Sequence, residues 1–254
     1  MIELRDFSTG YGERTLLRDV NVSVDNGRLT ALIGRNGSGK STLLRAIAGI
    51  NRHYTGEILL DGRSLSQMKP QQLARTVAFV NTERTRIASL RCEDVVAMGR
   101  APYTNWIGRM QDIDKEAVAH ALASTGMEGY AHRTMDTMSD GECQRIMIAR
   151  ALAQNTPTII LDEPTSFLDM PSRFELVALL CNLAHKEKKC VLFSTHELDI
   201  AMQLCDDIAL LDSPRLRHLP ADEMRRSGYI ELLFRNDTVH FNATSGTIML
   251  KDRK

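Results

Sequence analysis

The fold is decided by one stretch of the chain, Gly34-Arg35-Asn36-Gly37-Ser38-Gly39-Lys40-Ser41-Thr42. An apolar run at 29–33 comes before it, and apolar residues recur after it at helical spacing, from Leu43 to Ile50. Strand, glycine-rich loop and helix in this order match the P-loop pattern, Gly-x-x-x-x-Gly-Lys-Ser. The sequence therefore predicts an α/β fold whose glycine-rich loop binds phosphate groups.

The chemistry of this loop follows from its residue types. Glycines let successive backbone N–H groups turn towards a β-phosphate, and the N-terminus of the next helix adds its dipole. We expect Lys40 to reach the β- and γ-phosphate oxygens and the Ser41 hydroxyl to ligate Mg²⁺. The alternative, a glycine turn that opens an ordinary helix, is disfavoured by the complete pattern in its context. The nucleotide-binding candidates are Gly34, Arg35, Asn36, Gly37, Ser38, Gly39, Lys40, Ser41 and Thr42.

A pair of carboxylates follows a second apolar strand, Thr158-Ile159-Ile160-Leu161. Parallel sheets place their ligands at the carboxyl ends of the strands, where Asp162 and Glu163 stand. We expect Asp162 to hold the Mg²⁺ shell and Glu163 to polarise an attacking water. A buried strand followed by a surface acidic pair would look the same in isolation.

Composition limits the class of protein. The chain has 254 residues and 43% hydrophobic content, enough for one globular domain with a core. Lys+Arg and Asp+Glu are both 32, so there is no excess positive charge for a nucleic-acid backbone, and we expect no nucleic-acid partner. Because no run approaches about 18 apolar residues, we expect any membrane role to come through a partner.

The order of the predicted elements indicates an insertion. Strand patterns disappear between Cys92 and Gln154, where Asp114 to Ala123 and Gly141 to Ala153 read as helices. We therefore predict a single domain over 1–254. It consists of a nucleotide-binding core (1–87 and 155–213), a helical subdomain (88–154) and a C-terminal extension (214–254).

A third motif, Met138-Ser139-Asp140-Gly141-Glu142-Cys143-Gln144-Arg145, opens one of these helices. Together with Ser166-Phe167-Leu168-Asp169 and Ser194-Thr195-His196, it resembles the ABC ATPase family along most of the chain. The resemblance implies a P-loop NTPase core of mixed sheet with an inserted helical subdomain, and hydrolysis of ATP. It also implies a head-to-tail homodimer that sandwiches ATP, in which Ser139 and Gly141 contact the γ-phosphate held by the other subunit.

The resemblance assigns further residues to the nucleotide site. Tyr11 is expected to stack on adenine, His196 to contact the γ-phosphate, and Asp169 to belong to the ATP site. Taken alone, Tyr11 could be a loop aromatic and His196 a hydrogen-bonded histidine at a strand end.

The sequence departs from the family pattern at two places. Asp140 and Glu142 replace the first Gly and the Gln of the usual signature, Leu-Ser-Gly-Gly-Gln. In the loop after Val80, Asn81-Thr82-Glu83 stands where the family places a Gln that touches Mg²⁺. We expect Thr82 to take that metal-contacting position.

The segment 95–103 resembles the same stretch in ATPases of iron-siderophore, haem and vitamin-B12 importers. This implies membrane permease subunits as partners, a periplasmic or lipoprotein substrate-binding protein as an indirect partner, and a peripheral position on the cytoplasmic face of the inner membrane. Tyr103, Trp106 and Ile107 would lie near the surface that receives the permease; local packing is the alternative. A competing function is a soluble ABC ATPase in assembly or repair. A P-loop kinase or GTPase would have no use for the signature motif or His196.

Overall fold

The structure is a computed structural model that describes residues 1–12, 14–81, 89–104, 108–166, 168–233, 239–242 and 247–250. Thr82, Glu83, Trp106 and Ile107 lie outside the described residues, so the predictions made for them remain predictions. None of the described helices combines the length and apolar character needed to cross a membrane.

The described strands form three sheets. An antiparallel sheet has the order β2-β1-β4-β5, and a mixed sheet has the order β10-β9-β3-β8-β7-β6. A small hairpin, β11-β12, comes last. The strands are β1 (Ile2–Tyr11), β2 (Arg14–Val24), β3 (Leu29–Gly34), β4 (Tyr54–Leu60), β5 (Arg63–Ser64), β6 (Val77–Val80), β7 (Thr158–Leu161), β8 (Cys190–Ser194), β9 (Asp207–Asp212), β10 (Arg215–Pro220), β11 (Val239–Asn242) and β12 (Thr247–Leu250).

The α-helices of the described residues lie between and after these strands. They are α1 (Lys40–Ile47), α2 (Pro70–Ala74), α3 (Cys92–Ala97), α4 (Asp112–Ser124), α5 (Asp140–Ala153), α6 (Met170–His185), α7 (Leu198–Leu204), α8 (Ala221–Arg226) and α9 (Tyr229–Leu233). The predicted helices at 114–123 and 141–153 are present and begin one or two residues earlier than expected.

The mixed sheet separates two apolar clusters. Along β8, Val191 and Phe193 belong to one cluster and Leu192 to the other. All three are at most 2% exposed, as expected for a strand buried on both faces. One cluster holds α1 and the antiparallel sheet, and the other holds the helices of the 88–154 region. The predicted fold class, a mixed-sheet P-loop core with helices inserted after β6, is confirmed.

The parallel strands bring the predicted motifs to one edge. β3 pairs with β8, and β7 pairs with both β6 and β8, all in parallel. The carboxyl ends of β3, β7 and β8, at Gly34, Leu161 and Ser194, therefore lie side by side. This is the edge at which α/β sheets bind ligands.

The inserted helices are fixed by a buried ion pair. Arg100 Nε lies 2.8 Å from Asp114 Oδ1, and Arg100 Nη1 donates to the Ala153 carbonyl at 2.8 Å. The backbone N–H of Gln111 donates to the other carboxylate oxygen of Asp114. The pKa of Asp114 is lowered by that hydrogen bond and by Arg100, while burial opposes the shift. This pair joins the beginning of α4 to the end of α5.

Two side chains tie these helices to the core. Gln154 Nε2 donates to the carbonyls of Ala74 (2.6 Å) and Val77 (2.9 Å). Tyr103 packs beneath two guanidinium groups, those of Arg100 (4.1 Å) and Arg75 (5.0 Å). Tyr103 therefore has packing partners within its own chain, and its position near a permease stays a prediction.

Candidate nucleotide-binding and catalytic site

The glycine-rich loop leaves β3 at Gly34 and enters α1 at Lys40. Gly37 (φ +72°) and Gly39 (φ +109°) have left-handed backbone conformations that side chains disfavour. At Gly34 a Cβ atom would lie 2.6 Å from the Leu211 carbonyl oxygen, so a larger residue would force β9 away. The shape of the loop thus requires glycine at the two motif positions, Gly34 and Gly39, and favours it at Gly37.

The Lys40 ammonium lies inside the loop. Its Nζ donates to the carbonyls of Gly34 (3.0 Å) and Arg35 (3.4 Å), and the residue is only 5% exposed. Burial lowers its pKa, while the charges of Glu163 and Asp162 oppose that change. The buried Ser38 hydroxyl has no hydrogen-bond partner among the described residues. A buried cation and an unpaired hydroxyl in one loop fit a bound phosphate group.

The loop forms one wall of a cleft of about 560 Å³. The 60% exposed Tyr11 stands at its mouth, with its hydroxyl 3.3 Å from Thr42 Oγ1. The structure thus brings together the predicted adenine contact, the loop, Glu163 and His196. The lining residues are Tyr11, Arg14, Leu16, Asn36, Gly37, Gly39, Lys40, Ser41, Thr42, Glu163 and His196.

Two lining residues were absent from the prediction, and Arg14 is the more polar one. Its Nη2 donates to the Gly37 carbonyl at 2.9 Å, which places a second cation on the loop. Arg14 begins β2, whose pairing with β1 places it directly opposite Tyr11. Recognising Arg14 from the sequence would have required that register.

The carboxylate pair is held by a buried serine. Ser194, fully buried at the end of β8, donates to Asp162 Oδ1 at 2.7 Å and accepts the backbone N–H of Glu163 at 2.9 Å. Glu163 has a left-handed backbone conformation (φ +48°), which is uncommon for a residue with a side chain. Ser194 belongs to the motif Ser194-Thr195-His196, from which only the role of His196 was predicted. Its position beside the acidic pair follows from the parallel pairing of β7 and β8.

The Glu163 side chain faces the cleft between two polar partners. Ser166 Oγ donates to Glu163 Oε2 at 3.3 Å, and His196 Nε2 hydrogen-bonds Glu163 Oε1. A carboxylate that is partly buried, 24% exposed, and held at both oxygens is oriented to accept a proton from a water in the cleft.

The expected magnesium ligands can be tested against the donor set. The described residues hold no group of three or more acidic, His or Cys side chains that could bind a metal by themselves. Mg²⁺ in nucleotide sites is typically bound by one or two carboxylates with waters and phosphate oxygens. Ser41, which lines the cleft, and Asp162, fixed by Ser194, fit that mixed ligand set.

Seven of the described site residues do not line the cleft. Gly34, Arg35 and Ser38 belong to the glycine-rich loop, and Asp162 adjoins Glu163. The other three, Ser139, Gly141 and Asp169, lie on other elements. Ser139 caps α5, and Asp169 caps α6 by accepting the Ser172 N–H at 3.0 Å. Hydrogen bonds from the Ser172 side chain and, after it, from the Ser172 backbone N–H lower the pKa of Asp169. The role predicted for Ser139, Gly141 and Asp169 at a nucleotide stays a prediction.

A P-loop beneath an exposed tyrosine, with a paired carboxylate and a histidine opposite, defines a nucleoside triphosphatase site. Residues 17–166 match the ABC transporter family model. The chain therefore belongs to the ABC transporter family and is an ATP-binding, ATP-hydrolysing subunit. The expected resemblance is confirmed.

Relatives and solved structures agree with this membership. An uncharacterised ABC transporter ATP-binding protein of Methanocaldococcus jannaschii is 38% identical over 216 residues, covering 85% of this chain and 74% of the relative. The iron(3+)-hydroxamate import ATP-binding protein FhuC of Bacillus subtilis is 36% identical over 192 residues, covering 76% of this chain and 71% of the relative. A dimeric ATP-binding cassette in a post-hydrolysis state, bound to ADP and Pi, superposes with a TM-score of 0.76 at 26% identity. The match covers 87% of this chain and 99% of that chain.

Proposed function

We propose that this chain energises a membrane importer for iron-siderophore, haem or cobalamin-type substrates, whose permease is a separate polypeptide. The observation that carries the proposal is that the predicted nucleotide contacts lie in two separate places in the fold. One cleft holds Tyr11, the P-loop, Glu163 and His196, whereas Ser139 lies away from it on the inserted helices.

The chemistry assigned to this cleft is hydrolysis of the terminal phosphate. Glu163 accepts a proton from the attacking water, and its bond to His196 orients the two groups towards each other. Lys40 stabilises the charge that develops on the phosphate oxygens. Ser41 and Asp162 would hold Mg²⁺, which neutralises phosphate charge when bound.

The proposed assembly is a head-to-tail homodimer with ATP between the subunits. Ser139 and Gly141 stand at the beginning of α5, where backbone N–H groups and the helix dipole favour an anion. In a two-fold arrangement each subunit offers this helix end to the other subunit's nucleotide. The dimeric cassette described above supports this arrangement.

ATP-driven closure of this dimer would shift the permease between inward- and outward-facing states. The chain then lies on the cytoplasmic face of the inner membrane, held there by the permease. A periplasmic or lipoprotein binding protein would deliver substrate to the permease and would not contact this chain. The relative named for iron(3+)-hydroxamate import supports the substrate class.

Isolation of the native complex tests the proposal. An affinity-tagged chain is extracted from membranes in mild detergent, and the retained proteins are identified by mass spectrometry. We expect an integral membrane protein at one-to-one stoichiometry, retained through a high-salt wash. Recovery of an active ATPase without any integral membrane protein would instead favour the alternative, a soluble ABC ATPase in assembly or repair.

A further inference from the structure

The signature serine has its only hydroxyl hydrogen engaged within its own subunit. Ser139 Oγ donates to Glu142 Oε2 at 2.9 Å, and the Ser139 backbone N–H donates to the same oxygen at 2.8 Å. In return the Glu142 N–H donates to Ser139 Oγ at 3.3 Å. These contacts form a capping box at the beginning of α5.

The surroundings of Glu142 keep its carboxyl group ionised. The Ser139 N–H lowers its pKa most strongly, and the Ser139 hydroxyl, the Tyr130 side chain and the charge of Arg133 act in the same direction against partial burial. An ionised carboxylate is a stronger hydrogen-bond acceptor than a neutral amide, by about a factor of two. The Ser139 hydroxyl therefore has a strong competing acceptor wherever a phosphate oxygen approaches it.

We propose that Glu142 is a positioning residue that holds the hydroxyl hydrogen of Ser139 away from the partner subunit's nucleotide and so weakens ATP-driven closure of the dimer. This inference rests on the proposed function, in which Ser139 serves the nucleotide of the other subunit. Closure requires the hydroxyl to leave a charged acceptor, and it brings the Glu142 carboxylate towards a second anion, the γ-phosphate. A glutamine at this position would still accept the Ser139 N–H through its amide oxygen, but it would hold the hydroxyl less strongly and carry no charge.

The test measures the dimer dissociation constant in a background where ATP is bound and not hydrolysed. Sedimentation of Glu163→Gln at saturating Mg²⁺ and ATP gives the reference constant. Adding Glu142→Gln is expected to lower it by about tenfold, since each closed dimer contains two such contacts and tenfold corresponds to about 1.4 kcal/mol. An unchanged or raised dissociation constant for Glu142→Gln would overturn the inference.

The matched control separates charge from hydrogen bonding. Asp140→Asn removes an equal charge two positions away on the same helix end. We expect Asp140→Asn to increase the affinity of the dimer less than Glu142→Gln does. Equal increases would overturn the role assigned to the Ser139 hydroxyl.

A double-mutant cycle tests whether Glu142 acts through Ser139. In a Ser139→Ala background there is no hydroxyl to release, so the gain in dimer affinity from Glu142→Gln should fall to about that of Asp140→Asn, which comes from charge alone. A gain of full size in that background would overturn the inference. Thermal unfolding of each variant identifies any effect that comes from loss of the helix cap.

The same experiment distinguishes failure of the role inferred for Glu142 from failure of the proposed dimer. Dimerisation of the reference protein with no response to Glu142→Gln rejects the inference and leaves the proposed function standing. Absence of ATP-dependent dimers in every variant, with nucleotide binding intact, rejects the proposed assembly and the inference with it.

Discussion

Replacing Ser194 by alanine should lower both the stability of the fold and the ATPase activity that depends on Asp162 and Glu163. The two effects can be measured separately. The hydroxyl donates to Asp162 Oδ1 at 2.7 Å and accepts the Glu163 N–H at 2.9 Å, in a fully buried position. A hydrogen bond to a charged group contributes about 1.5–3 kcal/mol, and a buried N–H left without a partner costs about 1–3 kcal/mol. Because the two effects share one hydroxyl, we expect the free energy of unfolding to fall by about 3 kcal/mol.

The catalytic effect should exceed what instability alone produces. Ser194 orients the proposed Mg²⁺ ligand Asp162, and loss of such a supporting contact typically costs about 10–100-fold in metal affinity or activity. We therefore expect Ser194→Ala to raise the Mg²⁺ concentration for half-maximal ATPase activity and to lower kcat. Both are measured by titrating Mg²⁺ at saturating ATP and at a temperature where the variant remains folded.

A matched control is available at the opposite end of the neighbouring strand. The Thr156 hydroxyl is also buried, 1% exposed, and donates to the Thr158 carbonyl at 2.7 Å. Thr156→Val should cost about 1 kcal/mol of stability and leave the Mg²⁺ dependence unchanged. If Ser194→Ala loses stability but keeps the Mg²⁺ dependence and kcat of the parent, Ser194 is only a structural residue and the reasoning is refuted.

Three further predictions concern the carboxylates and the signature serine. Glu163→Gln should bind ATP normally and lose at least about 100-fold in turnover, because the amide cannot accept a proton from water; nucleotide binding and single-turnover assays check this, and parental turnover would contradict it. Ser139→Arg should be inactive alone yet regain activity when mixed with Lys40→Ala, because the mixed dimer has one site with both halves intact; no recovery in an ATPase assay would count against assembly in trans. Asp114→Asn should lose about 3 kcal/mol of stability, since the buried Arg100 loses its charged partner. The pKa of Asp114 is lowered in the folded state, so its contribution is present above the ordinary carboxyl pKa and is lost as pH falls through the folded value. Urea unfolding over a pH series should therefore show the difference from the parent narrowing in acid, and a constant difference would argue against the ion pair.

The nucleotide site was predictable where chemistry is concentrated in a continuous segment. The P-loop depends on glycines at Gly37 and Gly39 with left-handed backbone conformations, and on a lysine at fixed spacing, all within a few residues. Asp162 and Glu163 follow a strand whose apolar run is visible in the sequence. These features are local, and in the structure Lys40 and Glu163 line the same cleft.

Other contacts depend on register or on tertiary packing and were missed. Ser194 acquires its position from the pairing of two strands far apart in sequence, and Arg14 from the pairing of β1 with β2. The capping box at Ser139 and Glu142 is different, because Ser-x-x-Glu before a helix is a local signal. It was read only as a departure from the family signature, although it also predicts the hydrogen bonds found at this helix end.

Helix α5 is held by side-chain hydrogen bonds at its C-terminal end. Arg100 donates a hydrogen bond to the Ala153 carbonyl in the last turn of this helix. The adjoining Gln154 donates hydrogen bonds to the carbonyls of Ala74 and Val77 in the core. Its far end carries Ser139. A helix of 14 residues is about 21 Å long, so a tilt of about 5° at the Gln154 end displaces Ser139 by about 2 Å. That displacement is large enough to make or break a hydrogen bond, so a small rotation at the Gln154 end would change the contacts of Ser139 in the proposed dimer.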